Sequence, residues 1–320
     1  MSVATVSRVL NQTNQVAAAT EAQVRRTAAA LRYTPHAGAR SLITRRTHTI
    51  GVLLPDLYGE FFSELIRGID QTAQHHGYHC LVSSARRGGP ALEAALRSMR
   101  GRVDGLVLMS PEFTSAVSAR TLPDKFPVVM LNCPASDTDH ASLTVANYQG
   151  ARDMVMHLAR LGHRRIAILN GAPGNFDAAE RLRGYRAALR STALKRQPEL
   201  EIAGDFSEAS GAAGARQLLR LAAPPTAIFA ANDCMAIGAI AAIRDAGLRV
   251  PEDVAVGGFD DIPMARYVAP PLTSVHVDIS ALGERAATRL LSMLEHERDG
   301  PPAREIIATM LVVRQSCGAP

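Results

Sequence analysis

Tryptophan is absent from this 320-residue chain, and aromatic residues make up only 4% of it, so a core built on large rings is excluded. Against that scarcity the adjacent pair Phe61-Phe62 stands out. The four cysteines, Cys80, Cys133, Cys234 and Cys317, lie far apart and include no Cys-x-x-Cys. Neither a zinc site nor a disulfide framework is signalled, and they read as small core or surface residues. No run of ~18 apolar residues offers a membrane span. Met1-Ser2-Val3-Ala4-Thr5 lacks the charged start, apolar middle and small-residue cleavage site of an export signal, so no membrane partner is expected and the cytoplasm is the default. The motifs of common catalysts are missing as well: no Gly-x-Ser-x-Gly, no Gly-x-x-x-x-Gly-Lys-Ser/Thr and no His-Glu-x-x-His. Asn170-Gly171-Ala172-Pro173-Gly174 does not have the glycine spacing that cradles a dinucleotide, and no cofactor is expected. His75, His76 and His79 gather around the turn at Gly77 without a carboxylate, which reads as a solvated face rather than a metal site. Asp260-Asp261 could pair as acid and base, but nothing else of a mechanism accompanies them, and the chain is not expected to be an enzyme.

Acid is scarce in one place. Residues 1–46 hold seven arginines, Arg8, Arg25, Arg26, Arg32, Arg40, Arg45 and Arg46, against the single acid Glu21, whereas the whole chain carries only +5. The basicity behind the pI of 9.3 therefore belongs to the N-terminal piece, and the remainder is close to neutral. Concentrated positive charge suits a polyanion, because each neutralised phosphate releases counterions.

The basic piece reads as helical. Ser2 can cap a helix over residues 3–10 with Val6, Val9 and Leu10 on one side. After the polar turn Asn11-Gln12-Thr13-Asn14, Thr20 is placed to open a second helix through Leu31, with Val24, Ala28 and Leu31 inward. Pro35 ends it, and a very short third helix fits residues 36–42. Beyond Thr47, apolar strand runs (50–54, 80–83, 105–109, 128–131, 165–169, 227–230 and 254–258) alternate with amphipathic helices (61–77, 91–100, 148–161, 178–191, 210–221, 234–246 and 279–296). That alternation makes parallel sheets covered on both faces, and there are more units than one sheet uses comfortably, so two similar halves are expected.

Ser2-Val3-Ala4-Thr5-Val6-Ser7-Arg8-Val9-Leu10-Asn11, then Tyr33-Thr34-Pro35, then Ala39-Arg40-Ser41-Leu42, resemble the head of the LacI/GalR transcriptional repressors. The likeness continues through Val103-Asp104-Gly105-Leu106, Leu161-Gly162-His163-Arg164-Arg165-Ile166, Arg181-Leu182-Arg183-Gly184-Tyr185, Ala231-Asn232-Asp233-Cys234-Met235-Ala236-Ile237-Gly238 and Pro251-Glu252-Asp253-Val254-Ala255-Val256-Gly257-Gly258-Phe259-Asp260-Asp261. The resemblance implies an α/β core with the two-lobed fold of type I periplasmic binding proteins, two parallel sheets flanked by helices, behind a small all-α DNA-binding head. It divides the chain into residues 1–46, a helix-turn-helix head plus hinge helix, and residues 47–320, an effector-binding and dimerisation core. One lobe would span about 47–147 and 276–300, the other about 148–275 and 301–320. The head implies a double-stranded DNA operator bound by a homodimer through Ser2, Val3, Ala4, Thr5, Ser7, Arg8 and Asn11, of which Val3, Ala4 and Arg8 read the major groove, and through Ala39, Arg40 and Leu42 at the hinge, where the leucine wedges into the minor groove. One departure concerns the start. The family's head has another helix ahead of the position of Met1, and the expectation is that a working form carries about a dozen more residues there to cover the apolar side of the recognition helix.

Polar residues follow the core strands directly: Asp56, Asn132, Asn232 and Asp260, where open parallel sheets bind ligands. Taken singly, Asp260 could cap the next segment, and Arg181 could be a helix-surface cation beside Glu180 or Asp177. The resemblance assigns Arg181, Asn232 and Asp260 to sugar hydroxyls and Phe61, Phe62 and Phe206 to the walls, with Asn132 where some members place an aspartate. Where members bind a purine through an arginine and a threonine before Arg181, this chain has Asn175 and Asp177, so a sugar or related polyol is the expected small-molecule effector rather than a purine. A transport binding protein is the competing reading, against which the basic head and the absent export signal speak.

Overall fold

The computed structural model describes residues 2–10, 16–33, 46–85, 89–110, 113–133, 140–295 and 303–319. Two short helices come first, α1 (Val3–Leu10) and α2 (Ala18–Ala30). Ser2 caps α1, its Oγ accepting from the Thr5 amide at 3.2 Å. Val9 and Val24 are buried. The second helix opens at Ala18 rather than Thr20, with no side-chain cap, and a Glu21–Arg25 pair at 2.7 Å supports its first turns. Leu31, expected inward, is 73% exposed: it is the C-cap residue, beyond the last turn that faces α1. The third helix expected at 36–42 lies outside the described residues.

The core consists of two six-stranded sheets with the same internal plan. The first contains β1 (Thr49–Leu54), β2 (His79–Ser84), β3 (Gly105–Leu108), β4 (Val128–Leu131), β5 (Ala141–Val145) and β11 (Arg304–Ile307), in the order β11-β5-β4-β3-β1-β2. The second contains β6 (Ile166–Asn170), β7 (Glu201–Ala203), β8 (Ala227–Ala230), β9 (Ala255–Asp260), β10 (Thr273–His276) and β12 (Met310–Val312), in the order β12-β10-β9-β8-β6-β7. Pairing is parallel except where β12 runs against β10. Around the first sheet lie α3 (Glu60–His75), α4 (Gly89–Met99), α5 (Ser115–Thr121) and α10 (Ile279–Glu295); around the second lie α6 (Asn147–Arg160), α7 (Phe176–Ser191), α8 (Glu208–Leu219) and α9 (Asp233–Asp245). Parallel strands feeding helices on both faces leave both sheet surfaces dry, which is why β1, β3, β4, β8 and β9 are buried along almost their whole length.

The chain passes between the lobes after β5, after β10 and after β11. The last passage corrects an expected boundary. Residues 304–307 pair with β5 in the first lobe, from Arg304 opposite Ser142 to Ile307 opposite Val145, so the return to the second lobe falls between Ile307 and Met310 and not near residue 300. In the first lobe α3 and α10 cross so closely that a Cβ on Gly68 would sit 2.0 Å from the Ser280 carbonyl oxygen, and one on Gly283 would sit 2.3 Å from that of Leu65. This crossing carries the first lobe on the C-terminal part of the chain, and any side chain there would wedge it open.

Candidate functional site

The carboxyl ends of the strands of both sheets face one cleft of about 520 Å³ between the lobes. The first lobe supplies Pro55, Asp56, Tyr58 and Gly59 from the loop after β1, Phe61 and Phe62 from the first turn of α3, and Met109 after β3. The second supplies Asp177 and Arg181 from the start of α7, Asp205 and Phe206 after β7, Asn232 after β8, and Asp260 and Ile262 after β9. A strand end followed by a helix start leaves backbone and side-chain polar groups facing the crevice, which places ligand sites there.

The floor is a buried ionic network. Arg181 is only 3% exposed, so the surface-cation alternative does not hold. Its Nε donates to Asn147 Oδ1 at 2.7 Å, one terminal nitrogen donates to the Ala231 carbonyl, and the other lies 3.2 Å from Asp260 Oδ1. The guanidinium also stacks 3.7 Å from the centre of the Phe259 ring. Asn147 completes the link by donating from Nδ2 to Asp177 Oδ1 at 2.7 Å. One cation thus serves two carboxylates. Burial pushes both Asp177 and Asp260 up to about 6, with Arg181 opposing, and for Asp260 the neighbouring Asp177 adds to the rise. Asp233, behind them, is raised well above the usual range by burial and by Asp260, although Ser274 Oγ (2.5 Å) and the Ile262 amide (2.8 Å) donate to it.

The remaining walls are held just as firmly. Asn232 caps α9 by accepting from the Met235 amide at 3.0 Å and donates to the Phe206 carbonyl at 3.0 Å, tying two cleft residues together. Phe206 (φ 72°) and Asp260 (φ 101°) both hold left-handed backbone that L side chains rarely adopt. Strain of this kind persists where surrounding structure over-determines a site. The Phe206 ring lies against Gly171, where a Cβ would come within 2.0 Å of it. Across the cleft, Phe61 and Phe62 meet edge to face with centroids 5.4 Å apart. At the rim the two lobes touch directly: the Met264 amide donates to Glu60 Oε2 at 2.8 Å.

Seven of the eight expected ligand residues, Asp56, Phe61, Phe62, Arg181, Phe206, Asn232 and Asp260, therefore share this cleft. Asn132 is not among the lining residues, but it lies behind them, its side chain helping to lower Asp177 against the effect of burial. It is 5% exposed, its Oδ1 accepts from the Val145 amide at 3.2 Å, and its φ of 48° turns the chain so that it clips the end of β4 to β5. Asn147, Gly171, Asp205 and Tyr58 were not singled out from sequence. Asp177 carried a signal, being four residues before Arg181 and so on the same helix face. In the head, Ser2, Ala4 and Arg8 are exposed and Thr5 is half-buried; Val3 and Ser7 lie in the same helix. Asn11, Ala39, Arg40 and Leu42 fall outside the described residues. Among the described residues no group of three or more His, Cys, Asp or Glu is placed to hold a metal, and no helix is long and apolar enough to cross a membrane.

Comparison with known proteins addresses both parts of the chain. Residues 155–317 match a periplasmic binding protein-like domain, and residues 1–36 match bacterial regulatory proteins of the lacI family. The HTH-type transcriptional repressor CytR of Escherichia coli (strain K12) is 33% identical over 323 residues, covering 100% of this chain and 94% of that protein. Among solved structures, the Lac repressor dimer bound to operator and the anti-inducer ONPF is 33% identical with a TM-score of 0.89, covering 100% of this chain and 96% of the other. The CelR–cellobiose complex is 31% identical with a TM-score of 0.77, covering 97% and 94%.

Proposed function

The chain belongs to the lacI family of bacterial regulatory proteins, and from that premise we propose that it is a repressor whose grip on an operator is set by a small polyol held between its core lobes. The observation that carries the ligand half is the Arg181–Asp260 pair, with Asn232 beside it, set under Phe61, Phe62 and Phe206 in one cleft. A carboxylate accepts two hydrogen bonds side by side and a guanidinium donates two, a match for adjacent hydroxyls, while the carboxamide serves either role and the rings cover the apolar face of a sugar. The cellobiose held by CelR supports a polyol in this cleft.

The basic head supplies the DNA half. A recognition helix α1 that exposes Ala4 and Arg8 presents side chains to a major groove, and two heads on a two-fold axis read a pseudo-palindrome, as the Lac repressor dimer does its operator. A protein acting on operator DNA works in the cytoplasm, and the cleft is given no catalytic step, since its buried carboxylates Asp260 and Asp177 are held by Arg181 and Asn147. Coupling requires only that the ligand bind one lobe arrangement better than the other. The Glu60–Met264 contact, made across the rim, is a bond that such a change would break.

Titration of the full chain with a panel of neutral sugars, followed by calorimetry and by operator-binding assays with and without the bound sugar, tests the reading. Arg181→Ala and Asp260→Ala should each weaken sugar binding by about tenfold or more, as expected when a buried charged hydrogen bond loses a partner. Unchanged affinity in both variants would remove the site assignment.

A further inference from the structure

The charges that line the cleft are lopsided. Among the described residues that line it, the three carboxylates Asp177, Asp205 and Asp260 face a single cation, Arg181. That cation is already engaged: Nε by Asn147, one terminal nitrogen by the Ala231 carbonyl, the other paired in charge with Asp260, and one face by Phe259. An incoming anion would have to take Arg181 from Asp260, leaving a buried carboxylate without its partner.

Other features that commonly attract anions are neutralised here. The two helices that begin at the cleft, α7 and α9, present their N-termini to it, and such ends bind phosphate through free amides and the helix dipole. Each end already has one amide occupied. Asn175 Oδ1 accepts from the Ala178 amide at 2.9 Å and Asn232 Oδ1 from the Met235 amide at 3.0 Å, and each first turn carries its own acid, Asp177 and Asp233. Asp205 accepts from the amide and hydroxyl of Ser207, which lower it below its ordinary value and keep it charged. Asp56 accepts from the Leu57 and Tyr58 amides at 2.7 and 3.2 Å.

Resting on the polyol reading above, we infer that the cleft selects by charge, taking the uncharged form of its polyol and rejecting the phosphate ester or carboxylate derivative of the same skeleton. A phosphate dianion placed here sits against like charges at short range in a poorly screened crevice, where repulsion is costly. A regulator built this way senses the free sugar, the substrate of a kinase-type phosphoryl transfer, and stays blind to the product.

The test is calorimetric titration of the full chain with matched pairs: glucose and glucose 6-phosphate, galactose and galactose 1-phosphate, ribose and ribose 5-phosphate. For any skeleton that binds, the neutral member should bind at least about tenfold more tightly than its ester, and inorganic phosphate should not displace it. The substitution Asp205→Asn should narrow that gap, and preferentially at low salt. An ester that binds as tightly as its neutral partner, or displacement of bound sugar by inorganic phosphate, overturns the charge inference alone. If no member of any pair binds, the polyol reading itself falls and this inference falls with it.

Discussion

Three carboxylates buried behind one guanidinium make the stability of the second lobe depend on pH in a calculable way. Asp177 stands at about 6 in the folded chain against an ordinary value of 3.8. Its folded value is raised, so the folded state binds more protons than the unfolded one between those two values. The associated stability is complete at low pH and is lost as pH rises through about 6. The shift corresponds to about 3 kcal/mol at neutral pH, of which roughly 1 kcal/mol is removed between pH 5 and pH 7.5. Asp260 and Asp233 act in the same direction. The wild-type curve alone does not isolate the effect, because His157 and His163 are lowered by burial and lose stability as pH falls through the same window. The variant Asp177→Asn does isolate it, since the amide keeps an acceptor for Asn147 and removes the titration. Melting temperatures of wild type and Asp177→Asn should be compared at pH 5 and 7.5. The variant should gain relative to wild type on going to the higher pH, by roughly 2 °C for a chain of this length. A difference that is the same at both pH values would refute the reasoning.

Arg181→Ala leaves Asp260 and Asp177 buried without their cation, and denaturant titration at pH 7.5 should show a loss of ~3–5 kcal/mol; a loss below ~1 kcal/mol would mean that water or a rearranged side chain replaces the guanidinium. Gly171→Ala forces the Phe206 ring off its seat and into the cleft, so sugar binding should weaken about tenfold while the melting temperature moves little, because the ring has open space to enter. Retained affinity would show that the ring is not a wall of the site. Glu60→Ala removes the acceptor that joins the lobes at the rim, and small-angle scattering of the unliganded chain should report a larger radius of gyration, whereas an unchanged profile would show that the contact does not hold the cleft.

What the amino-acid order determined by itself is the alternation of dry strands with amphipathic helices and the basic head. β1 reads Thr-Ile-Gly-Val-Leu-Leu and β8 reads Ala-Ile-Phe-Ala, runs that only a sheet buried on both faces accommodates, and the polar residues that end such runs marked the cleft. Strands escaped the pattern for two different reasons. β10 reads Thr-Ser-Val-His, yet Thr273 and Ser274 are fully buried, because Ser316, Arg314 and Asp233 satisfy their polar groups from far along the chain. β11 and β12 are sheet edges with exposed Ile306 and Met310; the apolar run Met310-Leu311-Val312-Val313 marks β12, but β11 opens on the charged Arg304-Glu305, and the expected lobe boundary near residue 300 came out misplaced for that reason. Only the tertiary structure decided which polar residues work together. Asn132 and Asn232 both follow a strand, but one folds back on β5 while the other faces the cleft. Asn147, with nothing to mark it in the sequence, lies between Asp177 and Arg181 because α6 and α7 pack side by side, and that long-range contact is what turns a local Asp–Arg spacing into a shared, buried charge network.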